Sequence, residues 1–188
     1  MKLSFRWYGE DDKVTLQNIR QIPGMHSIVT AVYDVPVGEV WSRESIANLK
    51  KLTEDAGLHF EVIESIPVHE DIKLGKPTRD QYIENYCENI RRVAQAGIKC
   101  ICYNFMPVFD WTRTDLFHPT GDGSTAMYYE ADKIQDDPKK MADYILKNLN
   151  GLTFPGWEPE RMARLDELFE AYRPVTKEKL WENLKYFL

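Results

Sequence analysis

The stretch "TRDQYIENYCENIRRVAQAGIKCICYNF", residues 78–105, contains the clearest helix and one of the clearest strands of the chain, one after the other. Thr78 and Gln81 have the spacing of a capping box, which predicts that the helix begins there. Apolar side chains then recur at helical spacing until Gly97, a typical residue to end a helix. The next residues, 99–105, are mostly β-branched, aromatic or sulfur-containing and indicate a strand. A helix that leads into a strongly apolar strand is typical of a parallel α/β sheet.

The same rhythm extends towards the N-terminus. Short strands are predicted at 2–8, 27–33 and 59–65, from their content of β-branched and aromatic residues. A short helix around "TLQNIRQI" and a second helix, which begins after Ser42 and ends at Gly57, separate them. Together with the stretch above, they make four consecutive strand–helix units.

The C-terminal part is predominantly helical from residue 137 onward. Helices are predicted after Asp137-Pro138, over about 158–172, and from Thr176 to the end. A (β/α)8 barrel takes about 250 residues, so the 188 residues indicate the first part of one such domain. We therefore predict an α/β fold in which residues 1–188 form the N-terminal portion of a single (β/α)8 barrel, with a helical insertion around 137–175. An open four-stranded sheet is the alternative.

Composition excludes several classes of protein. A hydrophobic content of 43% and an aromatic content of 12% are typical of a folded globular chain. The net charge of −6 argues against binding to nucleic acid or to acidic membranes. There is neither an apolar run of the roughly 20 residues that cross a bilayer nor a secretory signal. Three cysteines are too few for a disulfide framework, and Cys100 and Cys102 are predicted to be buried thiols. We predict a cytoplasmic protein.

Known catalytic and nucleotide motifs are also missing. The sequence has no G-x-G-x-x-G or Walker loop, no G-x-S-x-G element and no pair of histidines at the spacing of a zinc helix. Spacing alone therefore predicts a pocket without specifying its reaction.

The candidate pocket lies after the strands, where parallel α/β folds bind their ligands. Polar and aromatic side chains follow each predicted strand and are expected to converge on one rim. The predicted substrate-binding residues are Arg6, Tyr8, Glu64, His69, Asn104, Asp110, Trp111 and Arg113. No metal ligand and no catalytic residue is assigned by spacing.

Structural roles remain open for several of these side chains. Arg6 could form a salt bridge with Glu64 or Asp110. Trp111, like Trp41, could cover apolar surface, and His69 could be a solvated loop histidine.

Seven segments resemble one family along nearly the whole chain. They are "FRWYG" (5–9), "IRQIPGM" (19–25), "IVTAVYDVPVGEVW" (28–41), "IESIPVHEDIK" (63–73), "CYNFMPVFDWTRTD" (102–115), "FPGW" (154–157) and "LWENLKYFL" (180–188). In this order they resemble mannonate dehydratase.

The resemblance implies a xylose-isomerase-like (β/α)8 barrel and a hydro-lyase of hexuronate (glucuronate) catabolism. That enzyme would convert D-mannonate to 2-dehydro-3-deoxy-D-gluconate and water, with Mn²⁺ or Fe²⁺ as cofactor. The expected partners are the sugar acid and further copies of the chain, as a homo-oligomer, without nucleic acid or membrane.

The chain departs from this family in length. Members are about twice as long, and their histidine, cysteine and aspartate metal ligands lie in the second half. The resemblance therefore implies that this chain is inactive without that half. A sugar isomerase or epimerase on the same barrel, or a non-catalytic half-barrel, are the alternatives. In a half-barrel we expect open edges at the first and fourth strands and an exposed apolar stripe on the last helix, formed by Leu180, Trp181, Leu184 and Phe187.

Overall fold

The computed structural model describes residues 1–108, 113–133, 140, 143–144, 147 and 163–188. They form two compact units, one of Met1–Phe105 with Lys177–Leu188 and one of Met106–Thr176. No helix in the described part of the chain combines the length and the apolar character needed to span a bilayer.

The first unit is built on a parallel sheet of four strands. These are β1 (Leu3–Arg6), β2 (Met25–Thr30), β3 (His59–Ile63) and β4 (Cys100–Ile101), in the spatial order β1-β2-β3-β4. All three pairings are parallel. The predicted strands and their parallel, neighbouring arrangement are confirmed, although each strand is shorter than predicted.

Helices join these strands. They are α1 (Leu16–Arg20), α2 (Arg43–Asp55), α3 (Glu70–Leu74) and α4 (Arg79–Gln95). A further helix, α6 (Lys177–Phe187), also belongs to this unit, whereas α5 (Leu165–Tyr172) belongs to the second unit. Ser42 caps α2 as predicted, because its hydroxyl accepts a hydrogen bond from the Ser45 amide. Ile28 and Ile63 of the sheet form the core with Ile46 of α2 and Val93 of α4.

The predicted capping box of α4 is wrong. The Thr78 side chain makes no capping hydrogen bond. Its hydroxyl instead donates to the Asp71 carboxylate at 2.5 Å. Helix α3, which the sequence did not predict, places this charged acceptor within reach, and a carboxylate is a stronger partner than a backbone amide.

The prediction for the last helix is also partly wrong. Trp181 is 54% exposed, as expected, but Phe187 packs against Tyr86, Tyr103 and Phe105. The helix is thus docked onto the unit rather than presenting its whole apolar stripe.

The prediction that Cys100 is buried is wrong: Cys100 is exposed, because β4 lies at an edge of the described sheet.

The second unit contains an antiparallel hairpin of β5 (Asp115–Pro119) and β6 (Thr125–Tyr128), then a 3₁₀ turn (Ala131–Lys133) and α5 (Leu165–Tyr172). The sequence did not predict the hairpin. Asp122 organises its turn by accepting hydrogen bonds from Thr120 and Ser124. The insertion predicted around 137–175 falls mostly outside the described residues and stays a prediction.

Candidate functional site

The carboxyl ends of the four strands lie side by side. Just beyond the strands, the Trp7 amide donates to the Val29 carbonyl (2.9 Å) and the Glu64 amide to the Thr30 carbonyl (3.0 Å). The Cys102 amide donates to the Ile63 carbonyl at 2.8 Å. These bonds extend the parallel ladder past the strands. They bring Arg6, Glu64 and Asn104 to one end of the sheet, as predicted.

Arg6 is held at this end by one edge of its guanidinium. Its Nη1 donates to the carbonyls of Val29 (3.3 Å) and Trp7 (3.5 Å). The guanidinium carbon also lies 4.7 Å from the centre of the Tyr8 ring, a cation–π contact. In the described part of the chain, Nη1 makes the two hydrogen bonds to backbone carbonyls, and the Tyr33 hydroxyl lies near enough to the guanidinium to interact with it. No carboxylate of the described residues pairs with Arg6, so the guanidinium keeps N–H donors for a planar anion.

Tyr33, at the end of the second predicted strand, lies beside Arg6; the sequence placed it among the residues expected at this rim but not among the predicted substrate-binding residues. Its hydroxyl donates to the Trp7 carbonyl at 3.4 Å. Partial burial raises the pKa of Tyr33 above its ordinary value, while the Arg6 guanidinium acts in the opposite direction. The phenol is thus a proton donor at neutral pH.

A thiol and a carboxylate complete this end of the sheet. Burial raises the pKa of the half-buried Cys102 thiol, the nearby Glu64 carboxylate raises it further, and Arg6 lowers it. The Asn104 side-chain amide donates to the Ser65 hydroxyl at 3.4 Å. This end of the sheet thus combines one cation, one carboxylate and several neutral hydrogen-bonding groups.

The side chains at this end of the sheet do not form a metal site. No group of three or more His, Cys, Asp or Glu side chains in the described residues could hold a metal ion. Transition metals need several such convergent ligands, so a divalent cation does not fit the described residues alone.

His69 has a different environment from Arg6. It is the N-cap of α3, and its Nδ1 accepts a hydrogen bond from the Asp71 amide at 3.1 Å. Its ring stacks on Tyr82 with the ring centres 3.6 Å apart. Gly38 fits under both rings with φ +91°, since a Cβ there would lie 2.7 Å from Tyr82 and 2.9 Å from His69. His69 is therefore a packed capping residue rather than a solvated loop histidine.

A groove adjoins His69. Pro36, Glu39, Ile66 and Tyr86 are among its other lining residues. Trp41 also lines the groove and is only 2% exposed, so it packs in the core, which agrees with the interpretation that it covers apolar surface.

The remaining predicted residues cannot be placed at this end of the sheet. Asp110 and Trp111 lie outside the described residues. Arg113 is half-buried and belongs to the second unit. Their role in substrate binding stays a prediction.

Comparison with protein families decides the relationship. The family model described as D-mannonate dehydratase (UxuA) matches residues 1–188. The chain belongs to the D-mannonate dehydratase family. The resemblance read from the seven segments is confirmed.

Individual relatives of this mannonate dehydratase family agree. The chain is 55% identical to a mannonate dehydratase of Shouchella clausii and 56% identical to one of Thermotoga petrophila, covering 100% of this chain and 53% of each relative. The crystal structure of mannonate dehydratase from Streptococcus suis serotype 2 is similar with a TM-score of 0.79 and 52% identity, over 100% of this chain and 48% of that chain. The chain thus spans about half the length of the relatives it matches.

Proposed function

We propose that this chain forms the amino-terminal part of a mannonate dehydratase, a hydro-lyase that converts D-mannonate to 2-dehydro-3-deoxy-D-gluconate and water. Besides membership of the family, the main support for this proposal is Arg6 at the carboxyl end of the sheet, whose guanidinium keeps N–H donors for a ligand. Five N–H donors in a rigid fork suit a carboxylate, and among the described residues backbone carbonyls accept from Nη1 alone.

The other groups at this end suit the polyol chain of a sugar acid. Asn104 and Ser65 offer an amide and a hydroxyl, and Glu64 offers an acceptor for a substrate hydroxyl. We propose that they orient the substrate while Arg6 and Tyr8 hold its carboxylate end. His69, Asp110, Trp111 and Arg113 remain proposed binding residues from the sequence alone.

The reaction removes the proton at C2, next to the carboxylate, and expels the C3 hydroxyl as water. Negative charge builds up on the carboxylate end when the C2 proton leaves, and a cation there stabilises it. Arg6 is placed for that role. A general acid must also protonate the departing hydroxyl, and no residue of this chain is assigned to either proton transfer.

The wider architecture is part of the same proposal. We propose a xylose-isomerase-like (β/α)8 barrel that this chain completes together with a further half, acting as a homo-oligomer in the cytoplasm. The cofactor would be Mn²⁺ or Fe²⁺, with its ligands supplied from outside these residues, because the described part of the chain holds no suitable group.

Product analysis tests the function. The complete enzyme, meaning this chain with the half that its relatives also contain, is incubated with D-mannonate and Mn²⁺, and the products are identified by NMR. Loss of water to the 2-keto-3-deoxy acid supports the dehydratase. A product with the same mass as mannonate supports an isomerase or epimerase instead. The 188-residue chain is assayed in parallel, and we expect it to be inactive. Turnover by this chain alone would show that the further half is dispensable.

A further inference from the structure

Tyr33 and Arg6 converge on one acceptor. The Trp7 carbonyl accepts a hydrogen bond from the Tyr33 hydroxyl (3.4 Å) and a second from Arg6 Nη1 (3.5 Å). Both distances are at the long end for hydrogen bonds, so neither bond is strong. Because both donors reach the same oxygen, the Tyr33 hydroxyl and Arg6 Nη1 lie close together.

The ring of Tyr33 is held in place by the turn after β1. Gly9 has φ +96°, a conformation that favours glycine. A Cβ at Gly9 would lie 3.2 Å from Cδ2 of Tyr33, so the backbone approaches the ring closely. The residue is nevertheless 43% exposed, so part of it faces solvent.

We propose that Tyr33 is a second recognition residue of this site, whose hydroxyl turns from the Trp7 carbonyl to a carboxylate oxygen of the sugar acid bound by Arg6. The inference rests on the proposed function and adds a residue to it. A carboxylate is a stronger acceptor than a backbone carbonyl, and the bond to the Trp7 carbonyl that the hydroxyl gives up is a long one. The Trp7 carbonyl keeps its bond from Arg6.

The protonation state of the phenol agrees with this role. Because burial raises the pKa of Tyr33, the hydroxyl keeps its proton throughout the neutral range. It can therefore donate to an anion wherever the enzyme works. A bound carboxylate beside it would favour the neutral phenol further.

The consequence is discrimination between charged and neutral polyols. Arg6 and Tyr33 together present donors to one anionic group, whereas a neutral sugar alcohol of the same length offers only hydroxyls. Removing the Tyr33 hydroxyl should therefore weaken the acid more than the alcohol.

Binding to the complete enzyme tests this. The affinities of D-mannonate and of the neutral polyol mannitol are measured by calorimetry for the wild type, Tyr33→Phe, Arg6→Ala and the control Tyr129→Phe. Tyr129 is exposed in the second unit, so its variant should change nothing. We expect Tyr33→Phe to weaken mannonate binding by about tenfold or more, with little change for mannitol and an unchanged melting temperature.

Other results would overturn the inference. Unchanged mannonate affinity in Tyr33→Phe, with a loss in Arg6→Ala, would remove Tyr33 from the site and leave the proposed function intact. An equal loss for mannonate and mannitol would assign Tyr33 a merely structural role. A wild-type enzyme that does not bind mannonate would overturn both the inference and the proposed function.

Discussion

The side-chain amide of Asn183 donates a hydrogen bond to the backbone carbonyl of Lys73 at 2.8 Å, across 110 positions of sequence. Asn183 is 1% exposed and Lys73 2%. The bond joins α6 to α3, and Lys73 in turn pairs with Glu70 at 3.1 Å. Two contacts of Tyr186 reinforce the docking: its hydroxyl bonds to Asp80 at 2.8 Å, and its ring lies 3.4 Å from the guanidinium of Arg79.

Replacing Asn183 should destabilise the first unit. Asn183→Ala leaves the buried Lys73 carbonyl without its donor, and an unsatisfied buried group costs about 1–3 kcal/mol. We expect the free energy of unfolding in urea to fall by that amount. Asn48→Ala is the matched control, because Asn48 is exposed on α2 and should change stability by less than about 0.5 kcal/mol. Equal effects of the two variants would show that the Asn183 bond does not stabilise the docked helix.

Gly75 should be intolerant of a side chain for two separable reasons. It ends α3 with φ +68°, and a Cβ there would lie 2.6 Å from Oδ1 of Asn183. Gly24 has a similar φ of +76° but nothing within 4 Å of the added carbon. Gly24→Ala should therefore cost only the backbone strain, roughly 1–2 kcal/mol, and Gly75→Ala should cost more in the same urea titration.

The excess at Gly75 has a specific source that a double variant reveals. In an Asn183→Ala background the clashing side chain is gone, so Gly75→Ala should lose its excess over Gly24→Ala. An excess that persists in this background would mean that another contact causes it.

Stability at high pH should depend on Tyr86. Burial raises the pKa of this phenol well above its ordinary value, and the ring packs edge-on against Phe187 with centres 4.9 Å apart. The folded chain then retains a proton that the unfolded chain releases. This contribution is fully present below a pH of about 10 and is lost as the pH rises further, because the unfolded state binds fewer protons.

Tyr86→Phe removes this titration. Unfolding free energies measured between pH 9 and 11.5 should fall less steeply in Tyr86→Phe than in the wild type. Tyr129→Phe, at an exposed position, should retain the wild-type slope. Identical slopes in all three proteins would argue that Tyr86 does not titrate differently on folding.

Activity should depend on Arg6 in the complete enzyme. Arg6→Ala removes a charge-assisted bond to the substrate carboxylate, which is worth about 2–3 kcal/mol, so kcat/KM with mannonate should fall by roughly 30- to 150-fold. Arg6→Lys keeps the charge but not the planar fork, so its kcat/KM should lie between those of the wild type and Arg6→Ala. Arg43→Ala, at an exposed position on α2, serves as control.

Arg113 is the other predicted carboxylate ligand, and Arg113→Ala is measured alongside. A large loss there with none in Arg6→Ala would transfer the carboxylate site to Arg113. Unchanged kcat/KM in both variants would exclude both arginines as carboxylate ligands.

Much of the first unit could be predicted from local patterns. The four strands were legible because β-branched and aromatic residues cluster in runs such as 27–33, and Ser42 marked the start of α2 because a hydroxyl at that position satisfies a free amide. Polar side chains after each strand pointed to the rim that contains Arg6, Glu64 and Asn104. These features depend on a few neighbouring residues, so the sequence alone carries them.

The rest depends on partners distant in sequence. Thr78 has a capping spacing, yet its hydroxyl bonds to Asp71, because α3 brings a carboxylate closer than the helix amide. His69 read as a loop residue, but it caps α3 and stacks on Tyr82. The position of Tyr33 depends on the turn at Gly9, which approaches its ring, and on the Trp7 carbonyl, which accepts its hydrogen bond.

The sequence by itself thus determined the parallel α/β character of the first unit and the end of the sheet where ligand groups gather, because strand and helix periodicity are local properties of the chain. The tertiary structure alone decided which polar groups stay available. Within the described residues, the carbonyls of Trp7 and Val29 accept from Nη1 of Arg6, which leaves further N–H donors of the guanidinium for a ligand. The side chain of Asn183 can be buried because its amide donates a hydrogen bond to the Lys73 carbonyl. A hydrogen bond satisfies a polar group only when folding places its partner within about 3 Å. The spacing of residues along the sequence does not specify that distance.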